Sequence, residues 1–315
     1  MGFWQTKLHK SQCKLDSWTK KLSNLEQSKN QGEYDEMLAA NGLAPSNFDA
    51  SLGTIGGGNH FAELQRLQSI VEPSIFEAMD LSKDALYVLV HSGSRGLGEH
   101  ILRGHQKHFG NGALKASSKE GENYLQQHNN AVKWARLNRE IIASKFMTTL
   151  ATKGRQILDV CHNCVLAATA TIDNPATADK SETTDTSIWL HRKGAAPSDQ
   201  GAVMIPGSRG TLSYLVIASG EQTENLATLA HGAGRKWKRS ECRGKLEGRH
   251  TKESLKRTEI GGRVICEDRA LLYEEAPQAY KDIDVVVSDL VDAGLIKVIA
   301  TFAPVITYKT GAIRR

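Results

Sequence analysis

Apolar residues are distributed along the chain in three patterns, and each predicts a different element. The run ALYVLV (Ala85–Val90) is continuous, as in a strand covered on both faces, and it stops at His91 and a tight Gly/Ser turn, HSGSRGLG. A second apolar run, Ile296–Tyr308, closes the chain. Over residues 122–150, Tyr124, Leu125, Ala131, Trp134, Leu137, Ile141 and Phe146 recur at helical spacing and predict one long amphipathic helix. Alternation marks the end of SLGTIGGGNHFAEL (51–64), and short strands around Gly/Pro turns follow in SIWLHRKGAAP, GAVMIPGSRG and LSYLVIASG. Asp284–Val287 is a further strand candidate.

Residues 1–50 read as a polar helical segment, with six Lys against six Asp/Glu and no recognisable chemistry, which leaves 51–315 as the domain that carries the function. The segment DNPATADKSETTDTS (173–187) has no periodicity and reads as an exposed loop. Helices and strands mix without a regular βαβ alternation or an internal repeat. That predicts an α+β fold, mixed sheets with packed helices, rather than a doubly wound sheet.

With 40% apolar residues in 315, the chain can bury a real core, so disorder and fibrous repeats are excluded. No apolar run approaches the ~18 residues of a membrane span. The start MGFWQTKLHK is too polar for a secretory signal, so the cytoplasm is the expected compartment, with no membrane partner. Five cysteines (13, 161, 164, 242 and 266) make an odd, sparse set that argues against a disulfide framework. The net charge of +5 is modest, but residues 231–263 hold eleven Lys/Arg against four Glu. Such a window either attracts phosphates or is a solvated helix face laced with Glu–Lys pairs.

Four of the eleven histidines share one setting, the end of a strand-like run in a Gly-, Ser- or Asn-rich turn: GGGNH at His60, HSGSRG at His91, CHN at His162 and HGAGR at His231. Glycine corners let a ligand approach the backbone and free N–H groups for anionic oxygens, while neutral imidazole serves as metal ligand or nucleophile. His100, His105, His108 and His128 fall on helical patterns where exposed or capping roles suffice; His191, followed by Arg192 and Lys193, suits an RNA-backbone contact. CHNC (161–164) could be half a zinc site or a redox pair, but no second CxxC accompanies it, and His162 as a ligand between core cysteines is the better reading. Three loops suit a nucleotide: GGGNHFAE, with Asn59 and Glu63 around a base or ribose; PGSRG (206–210) followed by Ser213; and HGAGR (231–235). No Walker A loop occurs.

Taken together and in order, GGGNHFAE, HSGSRGLG, the HN of CHN, HRKGA, PGSRGTLSY, HGAGR and the late YKD and YKTG segments resemble the RtcB family of RNA ligases, from about Ser51 to Gly311. The resemblance implies a GTP- and Mn2+-dependent ligase of RNA repair or tRNA splicing. Such a ligase joins RNA ends bearing a 3′-phosphate or 2′,3′-cyclic phosphate to 5′-hydroxyl ends through a GMP–histidine intermediate. By motif, His231 resembles the nucleophile, and His60, His91 and His162 resemble the manganese ligands. The guanylate-binding segments are matched by Asn59, His60, Phe61, Ala62, Glu63, His162, Asn163, Pro206, Gly207, Ser208, Arg209, Ser213, His231, Gly232, Ala233, Gly234 and Lys309.

Two departures qualify the match. Arg209 stands where the family more often has Met, and no DxGCG-type segment precedes His60, where the family places an Asp and a Cys that complete its metal site. The upstream cysteine here is Cys13, in SQCKLDS. The resemblance therefore implies a fold short of its N-terminal portion, with a separately encoded N-terminal segment or a helper protein as conceivable partners. Imidazoles without carboxylate or thiolate hold at most one manganese ion weakly. The alternative reading is a catalytically inactive RNA- or nucleotide-binding remnant; a metal or redox protein built on CHNC ranks last. Guanylyl transfer further requires imidazoles 60, 91, 162 and 231 to converge on one cleft.

Overall fold

Strands form where apolar residues run on or alternate, and helices where they recur every three or four positions. The computed structural model describes residues 1–25, 31–173 and 183–311. Its first half contains β1 (Gly2–His9), α1 (Leu15–Leu22), α2 (Gln31–Ala40), β2 (Phe61–Ile70), α3 (Pro73–Ala78), β3 (Ala85–His91), α4 (Gly96–Phe109) and α5 (Lys119–Thr149). There follow β4 (Gly154–Asp159), β5 (Asn163–Asp173), β6 (Thr183–Lys193), β7 (Ala195–Pro197), β8 (Val203–Ile205), β9 (Ser213–Ala218) and β10 (Thr228–Ala230). The last part holds α6 (Arg239–Leu246), α7 (Lys252–Leu255), β11 (Arg263–Cys266), α8 (Arg269–Glu274), α9 (Ile283–Asp292) and β12 (Ile296–Thr310).

One eight-stranded sheet, ordered β4-β1-β3-β2-β12-β9-β8 with β11 alongside β12, carries the molecule. Its pairings are antiparallel except β11 with β12, so the sheet is mixed and the fold is α+β, as the pattern predicts. Every residue of β3 is buried. Leu86, Val88 and Val90 face Ile142 and Phe146 of α5 and Trp18 and Leu22 of α1, while Tyr87 and Leu89 face Phe3, Leu215 and Phe302. Cover on both faces explains why β3 is continuously apolar rather than alternating.

The final strand contains Pro304, which cannot donate to a ladder. It is tolerated because β9 pairs with β12 only as far as Phe302 and β11 begins at Ile306, leaving a gap where the neighbour changes. The long helix is confirmed as α5 and begins one turn earlier than its apolar pattern shows, because Ser118 caps it by accepting from the Gly121 N–H.

Three expectations need correction. Within 1–50, residues 2–9 are a strand rather than a helix, paired with β3 and β4. Phe3 and Trp4 bury one ring on each face, and Phe3 stacks on Tyr87 with 5.2 Å between centroids. Asp284–Val287 lies in helix α9, not a strand. Its β-branched run favours a strand, but Asp282 caps the helix and Ile283, Val287 and Leu290 form an inward stripe. Of the loop expected over 173–187, residue 173 and residues 183–187 belong to the β5–β6 ladder, and 174–182 lie outside the described residues. Among the described residues no helix is long and apolar enough to cross a membrane.

Candidate functional site

The sheet register brings the site together. Phe61 pairs with His91, Val90 with Gly2, Ala62 with Tyr308 and Glu63 with Thr307. The start of β2, the end of β3 and the end of β12 therefore share one edge, and His60, His91 and Lys309 emerge there. His162 arrives on the turn before β5 and His231 on the turn after β10.

Helix α5 fixes the two loops carrying His60 and His91. Fully buried Asn138 accepts from the Gly53 N–H (2.8 Å) and donates to Thr54 O, Ser92 Oγ and Gly93 O. Arg139, paired through two nitrogens with Asp159, donates to Ser92 O. Gly56 has φ +100°, and a Cβ there would strike the Arg95 guanidinium, at 1.8 Å from Nη1, so both the turn and the close approach require glycine.

The four imidazoles converge. His91 and His162 face each other with Nε2 atoms 3.3 Å apart, and the His60 and His91 centroids are 5.8 Å apart. His162 stacks on His231 at 4.8 Å with planes inclined by 23°. Burial holds all four below the ordinary histidine value. His91 and His162 lie well below it; His60 is pushed down to about 4 by burial and then by the nearby Arg95 and Lys309 cations. For His231, burial lowers the value and a hydrogen bond with the Gly194 backbone partly opposes it. All four rings are therefore neutral at pH 7, the form that can attack phosphorus or ligate a metal.

Beside this cluster lies a cavity of about 260 Å³ lined by Asn59, Phe61, Glu63, His91, Pro206–Arg209, His231–Arg235, Arg239, Glu275, Tyr280, Thr307 and Lys309. Glu63 accepts from Thr307 Oγ1 (2.7 Å) and Gln65 Nε2 (2.9 Å), and burial raises its carboxyl to about 7. Lys309 donates to Gly58 O at 2.7 Å, and burial lowers its ammonium to about 8. Glu275, 4% exposed, is the common counter-charge. Arg235 Nη1 lies at 3.1 Å, Arg239 Nε at 3.4 Å and Lys309 Nζ at 3.7 Å, and the Tyr280 hydroxyl donates to it. Arg209, Arg235, Arg239 and Lys309 exceed Glu63 and Glu275 by two charges, so the lining suits an anionic occupant.

The predicted residues do not all share this cavity. Asn59, Phe61, Glu63, Pro206–Arg209, His231–Gly234 and Lys309 line it. Ala62 points into the opposite layer, because alternate residues of β2 face opposite sides of the sheet. Ser213 is reached through Gln65, whose Nε2 donates to its Oγ at 3.0 Å. His60, His162 and Asn163 line a second cavity of about 320 Å³, of which His91 is a shared wall. Asn163 Oδ1 accepts from the Gly194 N–H at 2.7 Å. The Arg209 guanidinium is turned inward, donating to Leu272 O, and burial pulls its value down to about 10.

Sequence patterns do not single out Glu275 or Thr307, and touch Arg239 and Tyr280 only as members of the basic window and the YKD segment. Their signal is faint: Glu275 is a charge inside the apolar stretch LLYEEAPQAY. The basic window divides between its two readings. On α6, Lys245 pairs with Glu241 and Arg243 with Glu247, an exposed salt-bridged face, whereas Arg235 and Arg239 turn to the cavity. In CHNC, Cys161 Sγ contacts Asn163 O, and hydrogen bonding with Cys164 holds the Cys161 thiol low while raising Cys164.

The residues supply a pair of metal donors rather than a closed set. Two nitrogens bound at about 2.1 Å to one ion lie about 3.0–3.4 Å apart, which the His91–His162 contact matches. His60 Nδ1 and His162 Nδ1 are buried without partners. Among the described residues, however, no group of three or more His, Cys, Asp or Glu is arranged to hold a metal ion.

The family model described as "tRNA-splicing ligase RtcB" matches residues 5–310. The RNA-splicing ligase RtcB2 of Escherichia coli is 43% identical over 309 residues, covering 98% of this chain and 78% of that protein. The tRNA-splicing ligase RtcB of Methanococcus maripaludis is 27% identical over 91% of this chain, and the RNA-splicing ligase RtcB of Mycobacterium tuberculosis 29% over 80%. The chain spans 65% and 63% of those two relatives. It belongs to the RtcB family of RNA-splicing ligases.

Proposed function

We propose that this chain joins RNA ends bearing a 3′-phosphate or 2′,3′-cyclic phosphate to 5′-hydroxyl ends at the expense of GTP. The observation that carries the reading is neutral His231 on the wall of a cavity that also holds Glu63 and Lys309. A carboxylate and an ammonium complement a guanine edge, whose N–H groups donate and whose O6 accepts. Arg235 and Arg239 supply charge for the phosphates.

In this reading His231 attacks the α-phosphate of GTP: an N–P bond forms, the P–O bond to pyrophosphate breaks, and GMP stays on the ring. A 2′,3′-cyclic end is first opened by water, which breaks the P–O2′ bond and leaves a 3′-phosphate; an oxygen of that 3′-phosphate then displaces the imidazole, giving a diphosphate-linked RNA end. The 5′-hydroxyl attacks that end, a phosphodiester forms and GMP leaves. His162, stacked on His231, fixes the orientation of the nucleophile. Manganese, held by His91 and His162 with His60 beside them, supplies neutralisation of phosphate charge when bound. An odd set of five cysteines suits a reducing compartment, the cytoplasm.

The test is incubation with α-labelled GTP and manganese. The expected result is an acid-labile, alkali-stable label that disappears in His231→Ala. The incomplete ligand set favours one second reading, an RNA- or nucleotide-binding protein without ligase chemistry. RNA binding with no label on His231 would decide for it.

A further inference from the structure

We propose that the exposed face of the β5–β6 hairpin is a platform for single-stranded RNA, on which Trp189 stacks a base and His191 and Lys193 follow the backbone toward His231. The direction of the strand toward His231 rests on the ligase reading; the platform itself rests on the hairpin.

The ladder pairs Asn163 with Lys193, Val165 with His191 and Ala167 with Trp189, so Trp189, His191 and Lys193 lie on one face. Trp189 is 42% exposed. The other four tryptophans differ: Trp4, Trp18 and Trp134 are buried, and Trp237 is half-buried beneath Lys236 and Lys245. The opposite face of β6 holds the hairpin down, since buried Arg192 donates to Thr228 Oγ1 (3.1 Å) and Ala227 O (3.0 Å). The platform is therefore anchored to β10, the strand that delivers His231.

Its inner end touches the nucleophile. Gly194 follows Lys193 directly, and a Cβ on it would lie 3.0 Å from His231 Cε1. At a strand rise of about 3.3 Å per residue, Trp189 is roughly 17 Å from that point. A few nucleotides of extended RNA cover the distance. The surroundings select nucleic acid over protein: a single aromatic ring whose same-face neighbours are Val165, Ala167, Thr169, Ser187 and His191, with Lys193 further along the strand, is a stacking surface, not a contiguous apolar patch.

The experiment titrates the full chain against a fluorescently labelled single-stranded RNA ending in a 3′-phosphate. In parallel, labelling by GTP is measured without RNA. Trp189→Ala should weaken RNA binding on the order of tenfold, with Trp189→Phe retaining most of it. Lys193→Ala should reduce the slope of log affinity against log salt by about 0.7. Labelling by GTP should be unchanged in all three variants. Wild-type affinity in Trp189→Ala would overturn the platform, as would a concentration-dependent dimer that this substitution abolishes. Loss of GTP labelling in the wild type would overturn guanylyl transfer alone, since the platform is judged on the RNA titration.

Discussion

His162 and His231 lie face to face, 4.8 Å between centroids, though 69 positions separate them in the chain. Burial is what holds both rings in the neutral form, since a proton on either would be placed in a poorly solvated cluster. Labelling of His231 by GTP should therefore hold steady from pH 8 down to about 6.5 and fall only below it. Stability follows the same sign. For His60 the folded value, about 4, lies below the ordinary 6.5. Its contribution is thus complete above pH 6.5 and is lost as pH falls toward 4. Urea midpoints measured from pH 7.5 to 4.5 should decline, and decline less in His60→Asn.

Glu63 works in the opposite sense. Burial raises its carboxyl from an ordinary 4.5 to about 7, so its contribution is complete below pH 4.5 and is lost as pH rises through 7. In the nucleotide-free protein, Glu63→Gln should add up to about 3 kcal/mol at pH 8 and almost nothing at pH 4.5. Chemical denaturation at the two pH values checks this, and guanine nucleotide affinity should fall in the same variant.

Removing the counter-charge at Glu275 should be costly. Glu275→Gln leaves Arg235, Arg239 and nearly buried Lys309 without their shared carboxylate. A loss of about 3 kcal/mol is expected, because breaking a buried pair strands the remaining charge. Differential scanning calorimetry reads it; a change below 1 kcal/mol would refute the hub.

Gly194→Ala should separate function from stability. At φ +65° alanine costs about 1 kcal/mol, and its methyl would crowd the His231 ring. The chain should fold normally yet label with GTP roughly tenfold more slowly; an unchanged rate would show that the ring yields freely.

Much of the site is visible in the sequence because its parts announce themselves locally. Each of His60, His91, His162 and His231 stands at a turn where glycine or asparagine interrupts an apolar run. Glu275 gives no such signal: its role comes from three cations on the turn after β10, on α6 and on β12, and exists only once the chain has folded. The fold shows the same limit. β3 and α5 follow from periodicity, whereas β1 is obscured by the polar run that follows Phe3–Trp4 and α9 by its valines, where packing outweighs local preference.

His91 borders both chambers, the one beside Glu63 and the one beside Asn163. A partition one side chain thick means that widening either room narrows the other. Tailoring this protein to a bulkier nucleotide therefore has to proceed from the far walls, at Pro206 or Tyr280, and leave the dividing imidazole untouched.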